Sequence, residues 1–275
     1  MASQELVGSA LIALREALEA SLIVAIVVAT LNRLGRKDLL KWAWLGVASS
    51  IATGVASGAG VWLAYGAFPE KELFEAVSSF VAVAVLTTVI YWMARHGPRL
   101  ASEIRERLGV IGTAAGVAGF VFVIVFREAF ETVLITVPYL VRNPAYTVAG
   151  VAAGTAVAVG FASAMYLFGV KVNLRRFFFT TSVLLVLIAS GILGYGVHEL
   201  AEWMEEDMGY EGFLVERAYD LGLPKTHVLS AKGAVGSVLA VLFGYSDSME
   251  WMRVIAQLAY LALGLVVVLR AYGYV

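Results

Sequence analysis

Two short segments put ionisable residues where apolar ones surround them. Arg15-Glu16-Ala17-Leu18-Glu19 stands in the apolar stretch at about 6–31, and Arg127-Glu128-Ala129-Phe130-Glu131 in the one at about 110–141. The match continues with Leu22-Ile23 against Leu134-Ile135. On a helix, glutamates at i and i+3 project from neighbouring positions of one face, and an arginine four residues before the second glutamate can pair with it. Ionisable groups at membrane depth are costly and mark ion or proton pathways. Carboxylate oxygens suit hard cations such as ferric iron, and also ferrous iron, manganese, magnesium or calcium. The competing reading is two structural Arg–Glu pairs that lock helices together. Two motifs at matched depth favour a site. Four carboxylates and two guanidiniums sum to −2, which a divalent ion neutralises. A trivalent ion needs one more anion, and Glu75 stands at the outer end of the third apolar stretch.

The elements that must position these motifs are membrane helices. Of the 275 residues, 60% are hydrophobic and only 15% charged, and the mean hydropathy is +0.83. Soluble domains run nearer half apolar and a quarter charged, so a bilayer is the natural solvent. A net charge of −1 implies no nucleic-acid partner. The absence of cysteine excludes disulfides, thiolate metal sites and iron–sulfur clusters. No basic segment precedes the first apolar stretch, so that stretch is expected to stay in the mature protein.

Stretches long enough to span appear near 6–31, 42–66, 73–94, 110–141, 145–169, 178–200 and 252–273. The expected architecture is thus all-α and integral to the membrane, with about seven transmembrane helices. Ala234 to Tyr245 is too short to span and reads as a re-entrant or interfacial helix. Gly54, Gly58, Gly112, Gly116, Gly150 and Gly154 recur at helical spacing and suit close helix approach. Span two holds Gly46-Val47-Ala48 and span five Gly150-Val151-Ala152, so the unit of three spans is repeated once. An odd number of spans forces the copies to point in opposite directions, as in many secondary transporters. The single membrane domain, 1–275, then divides into repeat one (6–95), repeat two (110–200), an acidic link (201–251) and a last helix (252–273).

Basic residues orient the chain. Links after spans one, three and five hold Arg33, Arg36, Lys37, Lys41, Arg95, Arg99, Arg105, Arg107, Lys171, Arg175 and Arg176; those after spans two and four hold only Lys71 and Arg142. The N-terminus and the 201–251 link are therefore expected outside, and the C-terminus in the cytoplasm. That link carries Glu202, Glu205, Glu206, Asp207, Glu211, Glu216, Asp220, Asp247 and Glu250. Carboxylates at a pore mouth concentrate cations. His198 and Glu199 close span six. With Glu202 they read His-Glu-Leu-Ala-Glu, a near miss for a zinc-protease motif that needs a second histidine. The pair is either an outer metal way-station or an interfacial cap. Tyr91, Trp92, Trp203, Trp251 and Tyr260 suit interfacial anchoring.

With both motifs in view, the chain resembles the oxidase-dependent iron transporters, which include the fungal high-affinity iron permease and the bacterial EfeU-type permease. The family hallmark, Arg-Glu-x-x-Glu in spans one and four, is matched by Arg15, Glu16, Glu19 and by Arg127, Glu128, Glu131. Leu73-Phe74-Glu75, Gly196-Val197-His198-Glu199-Leu200 and Leu242-Phe243-Gly244-Tyr245 are also similar to the bacterial branch. The resemblance implies an iron permease of the cell membrane whose glutamates bind iron in transit. Iron is then substrate, no cofactor is expected, and any oxidase or extracytoplasmic iron-binding partner is a separate protein. Glu75 and Glu199 are expected on the outer approach. The alternatives are a transporter of another cation, such as lead or manganese, or an intramembrane metalloenzyme. Neither motif offers a nitrogen ligand, which counts against zinc.

Overall fold

The computed structural model describes every residue except 1, 69, 169–172, 207, 208, 211, 225, 226, 232 and 275; for 2, 3, 98, 165–168, 174 and 234 it describes the backbone alone. Lys171, Asp207 and Glu211 of the charge pattern lie outside the described residues. The chain folds into α1 (Ala2–Arg33), α2 (Leu40–Ala67), α3 (Lys71–His96), α4 (Leu100–Val110), α5 (Ala114–Arg142), α6 (Pro144–Phe168), α7 (Leu174–Glu206), α8 (Ala234–Phe243) and α9 (Trp251–Ala271). Two short strands, β1 (Arg217–Asp220) and β2 (Ser248–Glu250), pair antiparallel in the link before α9.

Five helical segments are long and apolar enough to cross a membrane: Lys37–Ala67, Lys71–His96, Pro144–Ala164, Arg175–Glu206 and Trp251–Ala271. Helices α1 and α5 have 32 and 29 residues, ample length, but each carries three ionisable side chains in its motif. Large apolar side chains face outward: Val55, Leu63, Val148, Phe161 and Leu263 are each more than half exposed. Water does not tolerate such continuous apolar faces, and lipid does. The protein is an all-α, multi-pass membrane protein with a small β ribbon.

Helix α1 packs along α6 and α5 along α2, while α1 and α5 meet and α3 packs on α7. Glycines set the closeness. A Cβ on Gly46 of α2 would lie 2.6 Å from the Ala118 carbonyl oxygen of α5, and one on Gly150 of α6 would strike the Leu6 carbonyl of α1. Leu6 and Ala118 each stand nine residues before the arginine of their motif. Five residues before each arginine the contact recurs. Ser50 Oγ donates to the Phe122 carbonyl at 2.9 Å, and Gly154 abuts the Ala10 carbonyl.

Two apolar clusters flank the motifs. Ile12, Leu86, Ile90, Met93, Ile135, Leu185 and Ile188 join α1, α3, α5 and α7. Nearer the other end, Val27, Leu31, Val117 and Val121 are met by Ile104 and Leu108 of α4. The sequence suggests only a basic link there. Its two buried residues are four apart, and Arg105, Glu106 and Arg107 point outward, so one short amphipathic turn pattern makes α4. The same segment shifts the start of α5 from about 110 to Ala114, where Thr113 Oγ1 accepts the Gly116 N–H at 3.1 Å.

Candidate functional site

Both motifs lie near the middle of their helices, and the contact of α1 with α5 brings them face to face. Within each motif the arginine reaches the second glutamate one turn on. Arg15 Nη2 lies 2.5 Å from Glu19 Oε1, and Arg127 Nε donates to Glu131 Oε1 at 2.7 Å. Arg15 also pairs with Glu16 and touches the Met93 sulfur.

Between the helices, carboxylate oxygens of Glu16, Glu128 and Glu131 lie within 4.8 Å of one another, and all three residues are buried. Oε2 of each has no hydrogen-bond partner among the described residues. Three buried carboxylates with unmatched oxygens repel one another and lack solvation, a costly arrangement that a bound cation relieves. Glu19, only 4% exposed, stands outside this trio as the ion-pair partner of Arg15. The two arginines differ: Arg15 is 2% exposed, while the Arg127 side chain is 34% exposed and lies 3.8 Å from the centre of the Trp92 ring. Trp92, read from sequence as an interfacial anchor, thus packs on a motif arginine. Beside the trio, a cavity of about 1060 Å³ opens between α1, α2, α5 and α6. Glu16 and Glu128 are its only ionisable lining residues among those described, and Thr132 and Thr136 of α5 and Thr147 of α6 also line it.

The other expected residues lie toward the end of the bundle that holds the α1 N-terminus. Glu75 is held by two phenols: Tyr65 donates to Oε1 at 3.0 Å and Tyr195 to Oε2. It does not join the central trio. Glu199 gathers with His198 and Glu202, their ligand atoms within 4.8 Å. His198 Nδ1 bonds Glu250 Oε1 at 3.0 Å. Burial opposes charge on Glu250, but the His198 hydrogen bond and the charges of His198 and Arg253 hold its carboxyl below the ordinary range. Glu5, 1% exposed, faces Arg142 at 3.7 Å.

The pattern of the iron permease FTR1 family matches residues 6–270. The chain belongs to that family. Similar proteins include an uncharacterized protein of Archaeoglobus fulgidus, 45% identical over 271 residues, 98% of this chain and 96% of that one. The ferrous iron permease EfeU of Yersinia pestis is 28% identical over 246 residues, covering 86% of this chain and 84% of its own. EfeU of Escherichia coli is 29% identical over 273 residues, covering 93% and 92%. No solved structure matches the chain. Kinship with these permeases places the chain among transporters.

Sequence reasoning missed several partners of these side chains. Tyr65, Tyr195, Trp92 and Met93 carry no motif, and their roles depend on helix rotation. Glu250 lies 52 positions from His198 and becomes its partner only through the link.

Proposed function

We propose that this FTR1-family chain carries iron across the cell membrane, handing the ion between Glu16, Glu128 and Glu131. The observation that carries the reading is the buried trio drawn from two helices, each carboxylate with an unmatched oxygen. Glu19 shares the site as the counter-charge that steadies Arg15, and Arg127 does the same for Glu131. The paired contacts of α1 with α6 and of α5 with α2, made at matched positions, support an inverted repeat of α1–α3 and α5–α7. With α9, these give seven membrane-crossing helices. The basic links support an N-terminus outside and a C-terminus in the cytoplasm. Glu75 and Glu199 then lie on the outer approach. Relatives named as ferrous iron permeases favour ferrous iron as the ion moved. A separate iron-binding protein outside the membrane would supply it, whereas a partner oxidase would suit a ferric substrate instead.

Purified protein in liposomes tests this. Uptake of iron-55 with the redox state clamped ferrous should exceed uptake under ferric conditions, and tenfold excess manganese or lead should compete weakly. Uptake of manganese in preference to iron would replace iron with another cation. Turnover of a peptide or ester without metal movement would replace the permease reading with an enzyme.

A further inference from the structure

A pocket of about 410 Å³ with mixed polar and apolar lining lies at the outer end of α7, away from the central trio. Arg142, Tyr195, His198, Glu199, Glu202 and Arg253 are among its lining residues. His198 stands in a distinct setting. Its Nδ1 is engaged by Glu250 Oε1 at 3.0 Å, which fixes the ring. In the neutral ring with Nδ1–H donating to Glu250, Nε2 presents its lone pair toward Glu202, whose Oε2 is 4.0 Å away. Glu199 brings a further carboxylate oxygen within 4.8 Å of both. A carboxylate that orients a histidine whose second nitrogen faces other ligands is the arrangement found behind metal-bound imidazoles.

Resting on the permease reading above, we infer that His198 Nε2, Glu199 and Glu202 form a second metal site at the mouth, with Glu250 as its positioning residue, and that this site selects transition ions. The central trio offers oxygen alone, and oxygen ligands suit magnesium and calcium as well as iron. An imidazole nitrogen favours iron over those two abundant ions. The mouth therefore supplies a discrimination that the centre lacks. Release is built in as well. Arg142 and Arg253 line the same pocket and offset the two carboxylates, and Arg253 is itself buried with Nε unmatched among the described residues. Conduction needs binding weak enough to leave. Tyr195 lines the pocket and donates to Glu75, so the mouth adjoins the next carboxylate inward.

Pulsed EPR of Mn²⁺ bound to the full chain in lipid nanodiscs tests the site without transport. Wild type should show nitrogen coupling from a coordinated imidazole. His198→Gln should abolish that coupling and raise the Mn²⁺ dissociation constant at the mouth at least tenfold. Glu250→Gln should keep the coupling but weaken binding about 10–100-fold. His198→Asp should restore Mn²⁺ binding without the nitrogen signal, which shows that the fold survives loss of the ring. A triple Gln variant at Glu16, Glu128 and Glu131 should retain the coupling. Absence of nitrogen coupling in wild type, or its persistence in His198→Gln, overturns the inference. If iron uptake is intact while coupling is absent, only the mouth site fails. If coupling is present in a protein that moves no iron, the permease reading fails and the site stands.

Discussion

Replacing Glu128 with Gln separates a metal ligand from a structural ion pair more cleanly than any other change at the centre. Arg15 pairs with Glu16 and Glu19, and Arg127 with Glu131, while Glu128 forms no ion pair among the described residues. Glu128→Gln therefore strands no arginine. Its ligand oxygen lies within 4.8 Å of those of Glu16 and Glu131. At an effective dielectric near 20, two like charges at that distance repel by about 3.5 kcal/mol. Neutralising Glu128 removes at most two such repulsions. Relaxation and water penetration absorb most of that, leaving a gain of about 1–3 kcal/mol in the metal-free protein. At roughly 2–4 °C per kcal/mol, the thermal midpoint in detergent should rise by several degrees. Iron uptake should meanwhile fall at least about 100-fold, beyond what loss of a ligand's supporting residue causes. Midpoints from fluorescence unfolding and uptake into liposomes are read on the same preparation. Wild-type uptake, or a loss of folded protein, refutes the ligand assignment.

Three further outcomes follow from the packing. Arg15→Lys should lower stability by about 3 kcal/mol in an unfolding assay, because a buried arginine between two carboxylates has no substitute in the point charge of lysine. Gly150→Ala should destabilise by about 1–3 kcal/mol through overpacking of α6 against α1, whereas Gly60→Ala, with open space around it, should not, as thermal midpoints will show. In this cysteine-free chain, Val228→Cys should react with an impermeant thiol reagent in intact cells and Ser102→Cys should not; the reverse pattern inverts the orientation.

Much of this was legible in the sequence because lipid imposes simple rules. A span must be long and apolar, so α2, α3, α6, α7 and α9 stand out. The two Arg-Glu-x-x-Glu segments stand out because charge is rare at that depth. Helix geometry alone anticipates the Arg15–Glu19 and Arg127–Glu131 pairs. The grouping of the glutamates in space was not legible. Glu19 and Glu131 occupy the same place in their motifs, yet Glu131 joins the trio and Glu19 does not. Met93 and Trp92 on α3 bear on Arg15 and Arg127 respectively, contacts that no motif announces. Likewise α4 hides in a charged segment because only Ile104 and Leu108 of it are buried. The pairing of β1 with β2 depends on strands of four and three residues, too short for alternation to show.

The central claim concerns where the ion sits, and anomalous diffraction at the iron edge from protein crystallised with ferrous iron under anaerobic conditions tests it most directly. A peak is expected between α1 and α5, in ligand contact with oxygens of Glu16, Glu128 and Glu131, and it should disappear in Glu128→Gln. Iron density confined to other residues, in a protein that transports iron, contradicts it.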